Sequence, residues 1–98
     1  MKPTIGRIVV YHTTETEQRM ISEHPGNIAR EQSPAVITAV NEQEDGSHLV
    51  NLKVLIDGPG EIYVREAAEG DQPGQFTWAV IAQDENEAEA GKKGPAKK

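Results

Sequence analysis

The alternation of apolar and polar residues along this chain predicts a β-hairpin at its centre. Residues 48–56 and 61–65 are alternating runs rich in β-branched side chains, and the turn sequence Asp-Gly-Pro-Gly at residues 57–60 separates them. Glycine and proline in this arrangement end a strand and reverse the chain. In the strand over residues 61–65 the aliphatic residues are expected to face the core, which leaves Tyr63 and Arg65 on the opposite face.

Three further runs have the composition of strands. They cover residues 4–12, 35–41 and 76–82. In the first run, Ile8 and Val10 share one face, and Val9 and Tyr11 share the other. We expect Tyr11 to lie on a face turned away from the aliphatic core.

One short helix is predicted between the first two strands. Thr14 and Glu17 have the spacing of a capping box, in which each side chain accepts a hydrogen bond from the backbone of the other residue. This predicts a helix over residues 14–22, with Met20 and Ile21 against the core. Five short strands with tight turns predict a mainly β fold, a small five-stranded SH3-like barrel with one short helix. A five-stranded barrel of the oligonucleotide-binding type is the structural alternative.

Composition agrees with a sheet and limits the possible chemistry. The chain has eight Ile, eight Val and three Leu, and β-branched residues favour strands. It has no cysteine, which excludes disulfides and thiolate metal sites. No apolar run has the length of a signal peptide core or a membrane span, so we expect a cytosolic protein without a membrane partner. We divide the chain into a domain over residues 1–82 and a charged tail over residues 83–98 that is expected to be disordered alone.

The net charge of −6 is unevenly distributed along the chain. Residues 1–82 carry twelve acidic and six basic side chains, whereas residues 83–98 carry four of each. The acidic domain would repel a nucleic-acid backbone, so direct nucleic-acid binding is disfavoured. Mimicry of nucleic acid by the acidic domain stays open, although dense rows of carboxylates are missing.

The sequence contains no recognisable catalytic signature. The three histidines, His12, His24 and His48, lack the spacing of a metal-binding pair, and no serine lies in a nucleophile elbow. The glycine-containing turn at residues 57–60 is followed by a strand, whereas a phosphate-binding loop is followed by a helix. We therefore interpret the protein as non-enzymatic, with no cofactor and no metal.

Cationic and aromatic side chains on several predicted strands form a candidate ligand surface. A guanidinium or ammonium group beside an aromatic ring can stack on a planar ligand and hold its phosphates. The alternative is that Trp78 is a core ring and the charged residues are solvated. The candidate residues are Arg7, Tyr11, Lys53, Tyr63, Arg65 and Trp78.

Several segments together resemble a group of small bacteriophage and prophage proteins. These segments are residues 3–11, 34–36, 50–54, 57–60, 69–70 and 73–78. Proteins of that group commonly end in a Trp-x-Trp-Pro pattern, where this chain has Phe-Thr-Trp-Ala at residues 76–79. The resemblance implies an accessory protein that acts in an infected bacterium, and it supplies no catalytic residues.

We therefore expect a non-enzymatic phage protein that counters host defence by sequestering a nucleotide-type signal or by occupying a host protein. A barrel of this size has little internal volume, so a pocket is expected between the subunits of a homo-oligomer. Two alternatives stay open, a virion component such as a head-decoration or head-completion protein and an acidic mimic of nucleic acid. The expected location is the host bacterial cytoplasm, or the virion for the structural alternative.

Overall fold

The structure, a computed structural model, describes residues 2–79. These residues form five strands and one helix. In chain order they are β1 (Ile8–His12), α1 (Glu15–Ser22), β2 (Gln32–Glu42), β3 (His48–Leu55), β4 (Glu61–Ala67) and β5 (Phe76–Trp78). The predicted mainly β class is confirmed. The end of the predicted fifth strand, from residue 80, and the predicted tail over residues 83–98 lie outside the described residues.

The five strands form one antiparallel sheet in the order β4-β3-β2-β1-β5. Strands β1 to β4 follow one another as a meander, and β5 pairs with the other edge of β1, with Phe76 opposite Tyr11. The oligonucleotide-binding barrel is a Greek-key arrangement, so this order does not fit the structural alternative. One isolated bridge joins Glu69, just after β4, to Phe76. Closure of the sheet into an SH3-like barrel stays a prediction.

The hydrophobic core lies on one face of this sheet. Alternate residues of β3 are buried as predicted, and residues of β1, β2 and β5 contribute the other large side chains of the core. The fully buried large side chains are Val9, Tyr11, Ile37, Val50, Leu52, Val54 and Phe76. The buried face of β1 is the reverse of our expectation, because Val9 and Tyr11 are in the core while Ile8 is exposed. Both faces of β1 are apolar, so its neighbours in the sheet decide which face is buried.

The helix begins with the predicted capping box. The side chain of Thr14 accepts a hydrogen bond from the backbone N–H of Glu17, and the Glu17 carboxylate accepts one from the backbone N–H of Thr14. That carboxylate also accepts the hydroxyl proton of Tyr11, which attaches the helix to β1. Ile21 is buried, as predicted, but Met20 is exposed, contrary to our expectation. An eight-residue helix therefore rests on the sheet through a narrow apolar face.

The predicted hairpin between β3 and β4 is confirmed, and its turn packs against the loop after the helix. Asp57 forms a bridge with Ile28, and the backbone N–H of Gly60 donates to the Asn27 side-chain oxygen at 3.1 Å. Gly58 has a φ of 145°, and a Cβ at this position would collide with Asn27. The turn therefore requires glycine both for its backbone conformation and for this close approach.

Candidate binding surface

The structure divides the six predicted site residues into three groups. One residue lies in the core, two form a pair at the β1–β5 end of the sheet, and three share the exposed face of β3 and β4. In that order they are Tyr11, then Arg7 and Trp78, then Lys53, Tyr63 and Arg65. The six do not form one common surface.

Tyr11 lies in the core, so the prediction that it faces away from the aliphatic residues is wrong. Only 1% of the residue is exposed, and its hydroxyl donates to the two carboxylate oxygens of Glu17 at 2.9 and 2.8 Å. Burial of the phenol, together with the hydrogen bond and the negative charge of Glu17, raises the pKa of Tyr11 well above its ordinary value. In this position the side chain joins the helix to the sheet.

Arg7 and Trp78 form a pair at the β1–β5 end of the sheet. The guanidinium carbon of Arg7 lies 5.0 Å from the Trp78 ring centroid, and the indole packs edge-to-face on Phe76 at 5.5 Å. The indole N–H donates to the carboxylate of Glu69 at 2.9 Å. Trp78 is therefore half-buried and already engaged by three neighbours. It also borders an open cleft of about 310 Å³ that His48 and Leu49 help to line.

The register of β3 and β4 places Lys53 beside Tyr63. These two residues lie opposite each other in the ladder. The backbone N–H of Ile56 donates to the carbonyl oxygen of Gly60, which identifies that pair as hydrogen-bonded. Because bonded and non-bonded pairs alternate along antiparallel strands, Lys53 and Tyr63 form a non-bonded pair, with Cα atoms only about 4.5 Å apart. The register therefore places the two side chains side by side on the exposed face, where the Lys53 ammonium lies 3.9 Å from the Glu61 carboxylate.

Arg65 adds a second cation on the same face. Its guanidinium carbon lies 5.9 Å from the Tyr63 ring centroid, and the tyrosine is 53% exposed. Lys53 reaches only one carboxylate within residues 2–79, that of Glu61 at 3.9 Å, with both side chains about half exposed. Such a surface ion pair contributes at most about 1 kcal/mol, so an anionic ligand can replace it. We call Lys53, Tyr63 and Arg65 the Tyr63 surface.

An apolar stripe that was not predicted extends this face across the sheet. Val36 lies opposite Lys53, and Ile8 lies opposite Val36. Ile8 is 53% exposed and Leu55 is 42% exposed, and Pro34 is also exposed. The apolar stripe comprises Ile8, Pro34, Val36 and Leu55. The signal in the sequence is that β1 and β2 carry apolar residues on both faces, where a strand that is buried on one side would alternate.

An open cleft of about 460 Å³, lined mainly by polar residues, lies beside His12, whose Nε2 is 3.0 Å from the Thr77 hydroxyl oxygen. No three histidine or acidic side chains in the described part of the chain are placed to hold a metal ion. No helix there has the length and apolarity needed to cross a membrane.

Comparison of the chain with protein-family models, curated proteins and solved structures found no match.

Proposed function

We propose that this chain is a non-enzymatic binding protein that holds a planar, anionic ligand of the nucleotide type on the Tyr63 surface. The observation that carries the proposal is the half-exposed ring of Tyr63, with Lys53 opposite it and Arg65 beside it on one sheet face. An exposed ring stacks on a base, and the two cations contact a phosphate. None of these contacts requires bond making or bond breaking.

The energies of these contacts indicate that one copy binds weakly. Stacking on a single base contributes about 1–3 kcal/mol. A hydrogen bond to a charged group contributes about 1.5–3 kcal/mol. Association itself costs about 4–15 kcal/mol in lost translational and rotational freedom. Together, one stack and two such contacts reach only the lower half of that range, so one Tyr63 surface binds weakly. Tight binding therefore needs side chains from a second copy, in line with the expected homo-oligomer.

The charge distribution favours a small ligand over a polymer. The Tyr63 surface carries two cations, and Glu61 lies beside one of them. The domain as a whole has twice as many acidic as basic side chains, which opposes a long polyanion. A mononucleotide or cyclic nucleotide needs only the local cations. Together with the resemblance to small phage proteins, this supports a role in which the protein sequesters a nucleotide signal of the host defence.

A thermal-shift titration tests this function. Cyclic and linear nucleotides are expected to raise the melting temperature, because a ligand that binds only the folded state stabilises it by mass action. The matching nucleosides, which lack phosphate, should have a smaller effect. Arg65→Gln should reduce the shift, whereas Arg19→Gln, at an exposed position on the helix, should not. If no nucleotide shifts melting, or if both variants behave alike, the proposed ligand class is wrong.

The apolar stripe favours a second candidate, a component of the virus particle. Ile8 and Leu55 expose large aliphatic side chains on a continuous face, and such patches mark protein contacts. Mass spectrometry of purified particles separates the two candidates. Abundance in particles without any nucleotide effect supports the structural role and rejects the nucleotide role.

A further inference from the structure

The outer edge of β4 carries backbone groups that no other described residue uses. β4 lies at one end of the sheet, and within residues 2–79 only β3 pairs with it. Hydrogen-bonded and non-bonded residue pairs alternate along the β3–β4 ladder, and the pair of Ile56 and Gly60 is hydrogen-bonded. Counting from this pair, the backbone groups of Ile62 and Val64 point toward β3 and form hydrogen bonds with it. The intervening residues therefore direct their N–H and C=O groups away from β3. These residues are Glu61 and Tyr63, whereas Arg65 and Glu66 lie in a β-bulge, where the strict alternation ends.

An edge of this kind is a template for pairing with another strand. β4 has seven residues and is therefore a long edge. β5, at the opposite end of the sheet, has only three residues, and one of them, Phe76, already forms a β-bridge with Glu69. Natural edge strands are usually protected by proline, by lysine or by charges that repel a partner. β4 contains neither proline nor lysine, and its bulge lies after Val64, at the C-terminal end of the strand. The order of its charges favours one particular partner.

The sequence of β4 is complementary to itself when it is read antiparallel. Residues 61–65 are Glu-Ile-Tyr-Val-Arg. A two-fold axis at Tyr63 places Glu61 of one copy opposite Arg65 of the partner subunit, and Ile62 opposite the partner's Val64. An axis at either charged residue would instead place that charge opposite itself. Opposite charges across a strand pair stabilise it, and like charges destabilise it.

We propose that β4 pairs antiparallel with β4 of a second copy of this chain, about a two-fold axis at Tyr63. In this register Tyr63, whose backbone N–H and C=O point outward, lies opposite the partner's Tyr63, so each copy donates and accepts the ladder hydrogen bonds at this residue. The pair joins two five-stranded sheets into one. The half-buried Ile62 and Val64 gain apolar neighbours on the core side.

The pairing goes beyond the proposed function and requires no ligand. On the exposed face it brings the two tyrosine rings together, because Cα atoms in a bonded antiparallel pair are about 5.5 Å apart. Lys53 and Arg65 of each copy flank the two rings. The resulting platform has two aromatic rings, four cations and two Glu61 carboxylates, where one copy has one ring, two cations and one carboxylate.

Sedimentation equilibrium of the full chain without ligand tests the pairing through a charge-swap cycle. The wild type should be a dimer at micromolar concentration. Glu61→Arg and Arg65→Glu should each raise the dimer dissociation constant at least about tenfold, because each creates two like-charge pairs across the axis. The double variant restores opposite charges and should recover most of the affinity. Glu44→Arg and Lys2→Glu make the same changes of net charge at exposed positions away from β4 and should leave the dimer intact.

A monomeric wild type, a dimer that is insensitive to both single variants, or a double variant that is no better than the singles would overturn the proposal. Hydrogen exchange of the wild type gives a second test that does not depend on the folding of any variant. The Tyr63 amide should exchange slowly in the dimer and faster on dilution to the monomer. A Tyr63 amide that exchanges as fast in the dimer as in the monomer would place the contact elsewhere.

Discussion

The hydrogen bond between Tyr11 and Glu17 provides the sharpest test of how the helix is held to the sheet. Substitution Tyr11→Phe removes one oxygen and leaves the buried ring in place. The lost hydroxyl donates to both oxygens of the Glu17 carboxylate at 2.9 and 2.8 Å. Glu17 keeps its hydrogen bond from the backbone N–H of Thr14, so the capping box itself survives.

The expected loss follows from the environment of the two partners. A hydrogen bond to a charged group contributes about 1.5–3 kcal/mol to the free energy of unfolding. Glu17 is only half-buried, so water can replace the lost donor, and we expect the lower end of that range, about 1.5 kcal/mol. In a domain of this size, each kcal/mol corresponds to roughly 4–8 °C in melting temperature.

Urea denaturation followed by the fluorescence of Trp78, the only tryptophan, measures this loss. Tyr63→Phe is the matched control, because its hydroxyl makes no hydrogen bond within residues 2–79 and its ring is exposed. The control should lie within about 0.5 kcal/mol of the wild type. If Tyr11→Phe is no more destabilising than Tyr63→Phe, the hydrogen bond to Glu17 does not hold the helix to the sheet.

Three further predictions concern stability. The difference in unfolding free energy between the wild type and Tyr11→Phe should shrink as the pH rises above about 10. The reason is that the raised pKa keeps Tyr11 protonated in the folded state at a pH where the unfolded chain has lost this proton. A constant difference in alkaline denaturation experiments would contradict the raised pKa. Leu52→Ala should cost about 2–5 kcal/mol in urea denaturation, and a loss below 1 kcal/mol would contradict the burial of this side chain. Gly46→Ala should cost about 1 kcal/mol through its positive φ alone, and Gly58→Ala should cost more because its Cβ meets Asn27; equal melting temperatures for the two variants would argue against that close approach.

Local sequence signals predicted those elements in which one physical effect dominates. The capping box at Thr14 and Glu17 depends only on residues three apart, and the structure shows both of its hydrogen bonds. In β3 the aliphatic residues alternate with polar ones, so the buried face follows directly from the pattern. The exposed positions of Tyr63 and Arg65 followed from the same alternation in β4.

The predictions that were wrong depended on contacts between distant parts of the chain. Both faces of β1 are apolar, and the pairing of Tyr11 with Phe76, far along the chain, decides that Tyr11 is buried. The same pairing brings Trp78 to Arg7 and removes both from the surface that Tyr63 occupies. Periodicity within one strand cannot specify a partner that lies so far along the chain.

The most direct test of ligand binding at the Tyr63 surface is a titration of the isotope-labelled full chain with a cyclic nucleotide, followed by the backbone amide shifts in NMR. The largest changes are expected at Lys53, Tyr63 and Arg65, because the base stacks on the ring and the phosphate contacts the two cations. Changes confined to the cleft beside Trp78, or no saturable change at all, would contradict the account.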